Sequence, residues 1–217
     1  MAASSTIILL NGTGSAGKTS IARELQGLLV EPYLHLGMDV FYEQVCPPKY
    51  LFRVLEPGEV PRPDAPEAVL FLPAEGDGAA GTAIVVPEFG RRLISGMHRT
   101  VATLAAAGDD MIVDHVLWIP EWLRECVALW AQHRVLFVGV HCPLPELERR
   151  EWARPERSAK GVVRWQFARV HAHGRYDLEV DTATATPREC AQRIIACLHA
   201  GPPPTAFADL ARRFAAE

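Results

Sequence analysis

The sequence predicts a three-layer α/β fold, with a central parallel sheet of about five strands and helices on both faces. Three observations predict it. Short apolar, partly β-branched runs alternate with segments of helical spacing along most of the chain. Three of those runs lead into Gly12, Asp39 and Asp114, so all three residues are expected at one crevice beyond the carboxyl ends of the strands. Apolar residues make up 49% of the 217, enough to cover a sheet on both faces.

The elements follow in order. Thr6–Leu10 reads as a buried parallel strand, because it is apolar without alternation. Gly12–Gly17 is a loop. Lys18–Val30 has helical spacing, with Ile21, Leu25, Leu28 and Leu29 on one side, and Glu31-Pro32 ends it. Tyr33–Leu36 is a second strand leading to Gly37-Met38-Asp39. The stretch from about Pro47 to Val86 is proline-rich and irregular. Within it Val69–Leu72 and Ala83–Val86 are expected to pair as a hairpin across the glycine-rich 75–81 turn. Such an insertion is either a site of substrate contacts or a plain surface excursion.

Alternation then resumes. Helix is expected over Glu88–Ala107, stopping at Gly108, and strand over Met111–Val113, ending at Asp114. Helices follow at Glu121–Gln132, Leu144 to about Trp152, and about Gly161 to His171. Val135–Val140 and Leu178–Val180 are strands, and Pro187–His199 is the last core helix. Pro202-Pro203-Pro204 is expected to end the domain, leaving residues 201–217 as a tail with a loosely held amphipathic helix.

Composition narrows the function. A net charge of -4 offers no basic excess, which argues against nucleic acid as a main partner. No apolar run approaches the roughly 18 residues of a membrane span, and Thr6–Leu10 is too short for a signal-peptide core. The expected location is the cytoplasm. Five cysteines without a CxxC pair read as buried thiols rather than a disulfide framework or zinc site.

Gly12-Thr13-Gly14-Ser15-Ala16-Gly17-Lys18-Thr19 fits GxxxxGK[ST] at every fixed position and lies between strand and helix, the context the motif requires. Its glycines let backbone N–H groups turn inward, where they and the positive end of the helix hold phosphates. Lys18 then reaches the β- and γ-phosphates of ATP, and the Thr19 hydroxyl is a Mg²⁺ ligand. The motif does not choose between kinase, GTPase and ATPase, although no guanine-reading NKxD segment follows it.

Two carboxylates and an arginine cluster point to transfer. Asp39 is placed to accept the proton of an attacking hydroxyl; the competing reading is a helix N-cap for the segment from Val40. Asp114 ends an apolar strand as a Walker B acid does, a second Mg²⁺ ligand, unless it is a structural turn aspartate. His115 reads as packing ahead of acceptor contact. Near Arg149, Arg150, Arg154 and Arg157, Pro155 breaks the helix. Arg154 and Arg157 therefore fall on a segment, about 150–162, able to close over ATP and offset γ-phosphate charge. Arg149 reads as a solvated helix face. The aromatics Phe41, Tyr42, Tyr50, Phe52, Trp118 and Trp122, with Lys49 as the sole cation of their segments, tilt weakly toward an uncharged, partly aromatic acceptor; for any one of them the competing reading, a core residue, is the safer one.

From Ile7 to about Ile195 the chain resembles the chloramphenicol phosphotransferase family. The likeness is carried by Leu10-Asn11-Gly12 through Lys18-Thr19, Glu31-Pro32-Tyr33-Leu34, Gly37-Met38-Asp39, Pro87-Glu88-Phe89, Ile112 through Val116, and Val138 through Cys142. Arg150-Glu151 with Arg154 and Arg157, Gln166, Val170-His171 and Tyr176 through Thr182 complete it. The resemblance implies a P-loop kinase fold over residues 1–200 and ATP-dependent O-phosphotransfer with Mg²⁺, Asp39 acting as base. It places Arg154 and Arg157 in a lid, and Arg150 and Thr182 by the nucleotide. A hydroxylated antibiotic is the acceptor it suggests, for resistance or self-protection. A metabolic kinase of a nucleoside, sugar or shikimate-like acid and a regulatory P-loop NTPase are the alternatives, and a homo-oligomer is left open. Two departures bear on the acceptor pocket: the longer segment from Phe41 to Val86, and His115 where the family pattern has a second acid.

Overall fold

The computed structural model describes residues 5–73, 82–154 and 160–217. Five strands form one wholly parallel sheet in the order β2-β6-β1-β7-β8: β1 Thr6–Asn11, β2 Tyr33–Gly37, β6 Asp110–His115, β7 Arg134–His141 and β8 Leu178–Asp181. β1 is the centre strand, pairing Leu10 with Asp114 on one side and with Val138 on the other.

The continuous apolar run of β1 is explained by cover on both faces. Ile7 and Leu9 enter one core with helices α3 (Glu88–Ala107) and α4 (Pro120–Trp130). Ile8 and Leu10 enter the other with α1 (Lys18–Leu28) and α7 (Pro187–Ala200). All four are fully buried, each contributing about 1.5–3 kcal/mol of transfer free energy. Crossovers of this kind bring the carboxyl ends of β1, β2 and β6 together at one edge.

A second, smaller sheet occupies the insertion. β3 (Phe52–Val54) runs parallel to β4 (Val69–Pro73), which pairs antiparallel with β5 (Thr82–Val85). The expected hairpin is present, with Leu70 opposite Val85 and Leu72 opposite Ala83; its turn lies outside the described residues. Strand β3 carries no alternation signal and was not expected.

Several boundaries shift by a residue or two from the sequence reading, and three differences bear on packing. Helix α1 ends at Leu28, and Val30 is solvent-exposed. Helix α6 spans only Val162–Phe167 rather than reaching His171, because the following backbone is claimed by tertiary bonds: the Val170 carbonyl accepts from Asn11 Nδ2 at 2.8 Å. The C-terminal segment is packed rather than loose. Its helix α8 (Ala206–Ala216) stacks Phe207 on Trp130 with ring centroids 6.2 Å apart, and Asp177 Oδ1 accepts from the Thr205 and Ala206 amides at the helix start.

Candidate functional site

The loop after β1 builds a phosphate cradle. Gly17 has φ +89°, the left-handed region that glycine enters freely, and Ser15 follows it there at φ +61°. The chain thus curls, burying Thr13, Ser15 and Ala16. Lys18 Nζ donates to the carbonyls of Gly12 at 3.0 Å and Thr13 at 2.8 Å, so the ammonium lies folded over the loop.

Asp114 sits at the tip of β6, only 6% exposed. Its Oδ2 accepts from Thr19 Oγ1 at 2.9 Å and lies 3.1 Å from His35 Nε2. Burial pushes the Asp114 carboxyl upward, but the His35 hydrogen bond, the Lys18 charge and the Thr19 hydroxyl outweigh it and hold the group below its usual range. Register puts Gly37 beside Asp114, where a Cβ would come within 2.8 Å of Oδ1. A side chain at that position would therefore displace the carboxylate. His35 carried no signal in the sequence, since one histidine in a strand does not announce its cross-strand partner.

Asp39 lies in the first turn of α2 (Met38–Val40), and the N-cap is Gly37, so Asp39 is not the cap. It lines the same cavity of about 290 Å³ as Lys18, Thr19, Asp114 and Arg154. The same cavity also has an apolar lining: Phe52, Val69, Phe71 and Ile84 come from the insertion, and Trp118 from the segment after β6. Of the aromatics singled out from sequence, Tyr42, Phe52 and Trp118 face the cavity, whereas Phe41 and Trp122 are core and Lys49 sits over the Tyr50 ring.

The remaining candidates separate. Arg157 lies outside the described residues. Arg149 pairs with Glu146 at the surface, in agreement with the sequence reading. Arg150 braces the loop from outside, donating to Thr182 Oγ1 at 3.0 Å and to the Thr182 carbonyl at 2.8 Å, while Thr182 Oγ1 donates to the Ala16 carbonyl at 2.9 Å. These bonds join the phosphate loop to the end of β8.

Glu151 and Gln166 carry the family likeness but receive no role from sequence, and Thr82 is not singled out there. Glu151 is fully buried and accepts from Gly161 N at 2.7 Å and Val163 N at 3.1 Å, tying the end of α5 (Leu144–Trp152) to the start of α6. Gln166, on α6, accepts from Gly14 N at 2.7 Å. Thr82 of the insertion donates to the Lys160 carbonyl at 2.6 Å, joining the insertion to the residue just before Gly161 and α6.

His115 is fully buried and away from the cavity wall. His98 bridges it to Glu125, with ring-nitrogen contacts of 2.8 Å and 2.7 Å. Burial, then the neighbouring His98, keep His115 neutral well below its ordinary range. Cys126 stands close by, but two nitrogens 2.8 Å apart form a hydrogen bond, closer than two ligands of one tetrahedral zinc, about 3.3 Å.

The parallel sheet, phosphate loop and strand-end acid define a P-loop kinase fold. Comparisons with solved structures agree on that fold. The chain matches the APS kinase CysC of Mycobacterium tuberculosis, in complex with AMPPNP and APS, at TM-score 0.60 and 15% identity, over 91% of this chain and 99% of that one. It matches the tunicamycin resistance protein of Deinococcus radiodurans at TM-score 0.57 and 17% identity, over 90% and 96%. It matches shikimate kinase from Acinetobacter baumannii, in complex with shikimate, at TM-score 0.56 and 14% identity, over 91% and 94%. Residues 5–199 fit the profile of the chloramphenicol phosphotransferase-like protein family, and the chain belongs to it. Proteins from two strains of Mycobacterium tuberculosis, each named "Putative O-phosphotransferase", are 34% identical over 209 residues, covering 96% of this chain and 88% of theirs. Among the described residues no helix is long and apolar enough to cross a membrane.

Proposed function

We propose that the protein is an ATP-dependent O-phosphotransferase acting on a hydroxyl of an uncharged, partly aromatic small molecule, a hydroxylated antibiotic being the leading class, for resistance or self-protection. One observation carries the reading: a single cavity sets Lys18, Thr19, Asp114, Arg154 and Asp39 against an apolar wall of Phe52, Phe71, Ile84 and Trp118. The first group suits a triphosphate and an alcohol nucleophile; the second suits an acceptor without charge. The two related "O-phosphotransferase" names support the same reaction class.

The residues divide the work. The curled backbone of Gly12 to Gly17 and Lys18 hold the phosphates. Thr19 and Asp114 present hard oxygen donors 2.9 Å apart, the donor type that Mg²⁺ takes, so these residues would hold that ion. When bound it neutralises phosphate charge. Asp39 takes the proton of the acceptor hydroxyl as that oxygen bonds to the γ-phosphorus and the bond to the ADP oxygen breaks. Arg154, with Arg157, offsets charge on the transferring group. Arg150 and Thr182 act from outside the cavity by holding the loop's shape.

An anionic acceptor, such as a shikimate-like acid, calls for cations beyond those that meet the triphosphate. Among the described lining residues the cations are Lys18 and Arg154, both given to the phosphates, and Glu43 adds a negative charge. The deciding experiment incubates the protein with ATP, Mg²⁺ and a panel of neutral and anionic hydroxyl compounds. A neutral acceptor should gain the mass of one phosphate, located by NMR. Steady ATP hydrolysis indifferent to every acceptor would sink the reading in favour of a regulatory NTPase.

A further inference from the structure

We propose that Gln166 is a further phosphate-binding residue, its Oε1 holding the Gly14 amide and its Nε2 donating to a γ-phosphate oxygen. The inference rests on the phosphotransferase reading and deepens it. Gln166 is 5% exposed and lines the cavity together with Gly14 and Lys18.

The orientation of its amide is settled by chemistry. Gly14 N–H can only donate, and the oxygen 2.7 Å away accepts it, so the other arm of the side chain is the NH₂ group. That nitrogen has no hydrogen-bond partner among the described residues, and it is not sealed in the protein without one. The residue's remaining opening is the cavity that Lys18, the residue that meets terminal phosphates in such loops, also lines. A neutral donor held in a nearly dry wall gains strength when it meets an anion.

The geometry that aims it is built from a distance. Glu151 accepts from Gly161 and Val163 at the start of α6, which fixes the helix that presents Gln166. The Val170 amide donates back to the Gln166 carbonyl at 2.9 Å, closing the other end. Both arms of one amide thus serve the nucleotide, one by shaping the loop and one by direct contact.

Calorimetry with Mg²⁺ separates these two arms. Gln166→Glu keeps an oxygen for Gly14 but replaces the donor with an anion. Its affinity for AMP-PNP should fall by about tenfold to a hundredfold, while affinity for ADP changes by no more than about twofold. Gln166→Met removes both arms, and its loss for AMP-PNP should exceed its loss for ADP by about tenfold. Melting curves of both variants check folding. Equal losses for the two nucleotides in Gln166→Met, or an unchanged preference for AMP-PNP in Gln166→Glu, would reduce Gln166 to a structural brace and overturn the proposal alone. Wild-type protein that takes up neither nucleotide overturns the phosphotransferase reading and this proposal with it.

Discussion

The two sheets bury their strands differently. In β1 Ile7, Ile8, Leu9 and Leu10 are all fully buried, because helices cover the parallel sheet on both faces. In β3 every residue is exposed, Phe52 by 40% and Val54 by 52%, and the small sheet has its own minor core of Leu55, Ala65 and Leu70. The frame that carries the phosphate loop is thus rigid and over-determined. The small sheet shares part of that frame's core, since Ala68, Val69, Ile84 and Val86 pack in the same cluster as Ile7 and Leu9. Under the proposed function, reaction chemistry belongs to the first and substrate choice to the second.

The sharpest separation of the two comes from Asp39→Asn. It should lower transfer about 10²–10⁴-fold while ATP binding persists, read by a phosphate-transfer assay beside calorimetry. Full retained transfer would remove Asp39 as base.

Core truncations compare the sheets directly. Leu9→Ala should cost about 2–5 kcal/mol in cooperative denaturant unfolding. Leu70→Ala removes an equally buried side chain, yet its effect should concentrate in the small sheet. Faster amide exchange in β3–β5 with nucleotide affinity intact is the expected signature. Exchange spread evenly over both sheets would mean that they form one cooperative unit.

A cavity-wall change follows in size. Phe71→Ala should raise the acceptor KM about tenfold and leave the ATP KM within about twofold. The reverse pattern would place the acceptor elsewhere.

The smallest effect belongs to the frame. Burial, then His141 and His173 nearby, lower His171 to about 3, and burial and Arg213 lower His173 to about 4. An imidazole depressed in the folded state binds its proton better when unfolded. Stability is therefore full above the unfolded pKa of about 6.5 and declines as pH falls toward the folded values. With both groups partly solvated, the slope between pH 6 and 5 should be about 1 kcal/mol per unit. Removing either imidazole by His→Asn should flatten it in pH-dependent unfolding.

The amino-acid pattern alone determined the sheet class, the hairpin pairing of β4 with β5, and the phosphate loop, whose eight residues are contiguous. It also put Asp114 at the crevice, because a carboxylate ending an apolar strand has a defined place in such a fold. These are local matters of periodicity, turn chemistry and strand ends. Tertiary structure decided which partners meet. Gln166 reaches Gly14 across 152 positions, and His35 reaches Asp114 across 79. Whether Phe52 and Phe71 faced solvent or the cavity, and whether His115 met acceptor or core, depended on strand order and on how the insertion folds back. No local periodicity encodes those, because they follow from the packing of distant segments against one another.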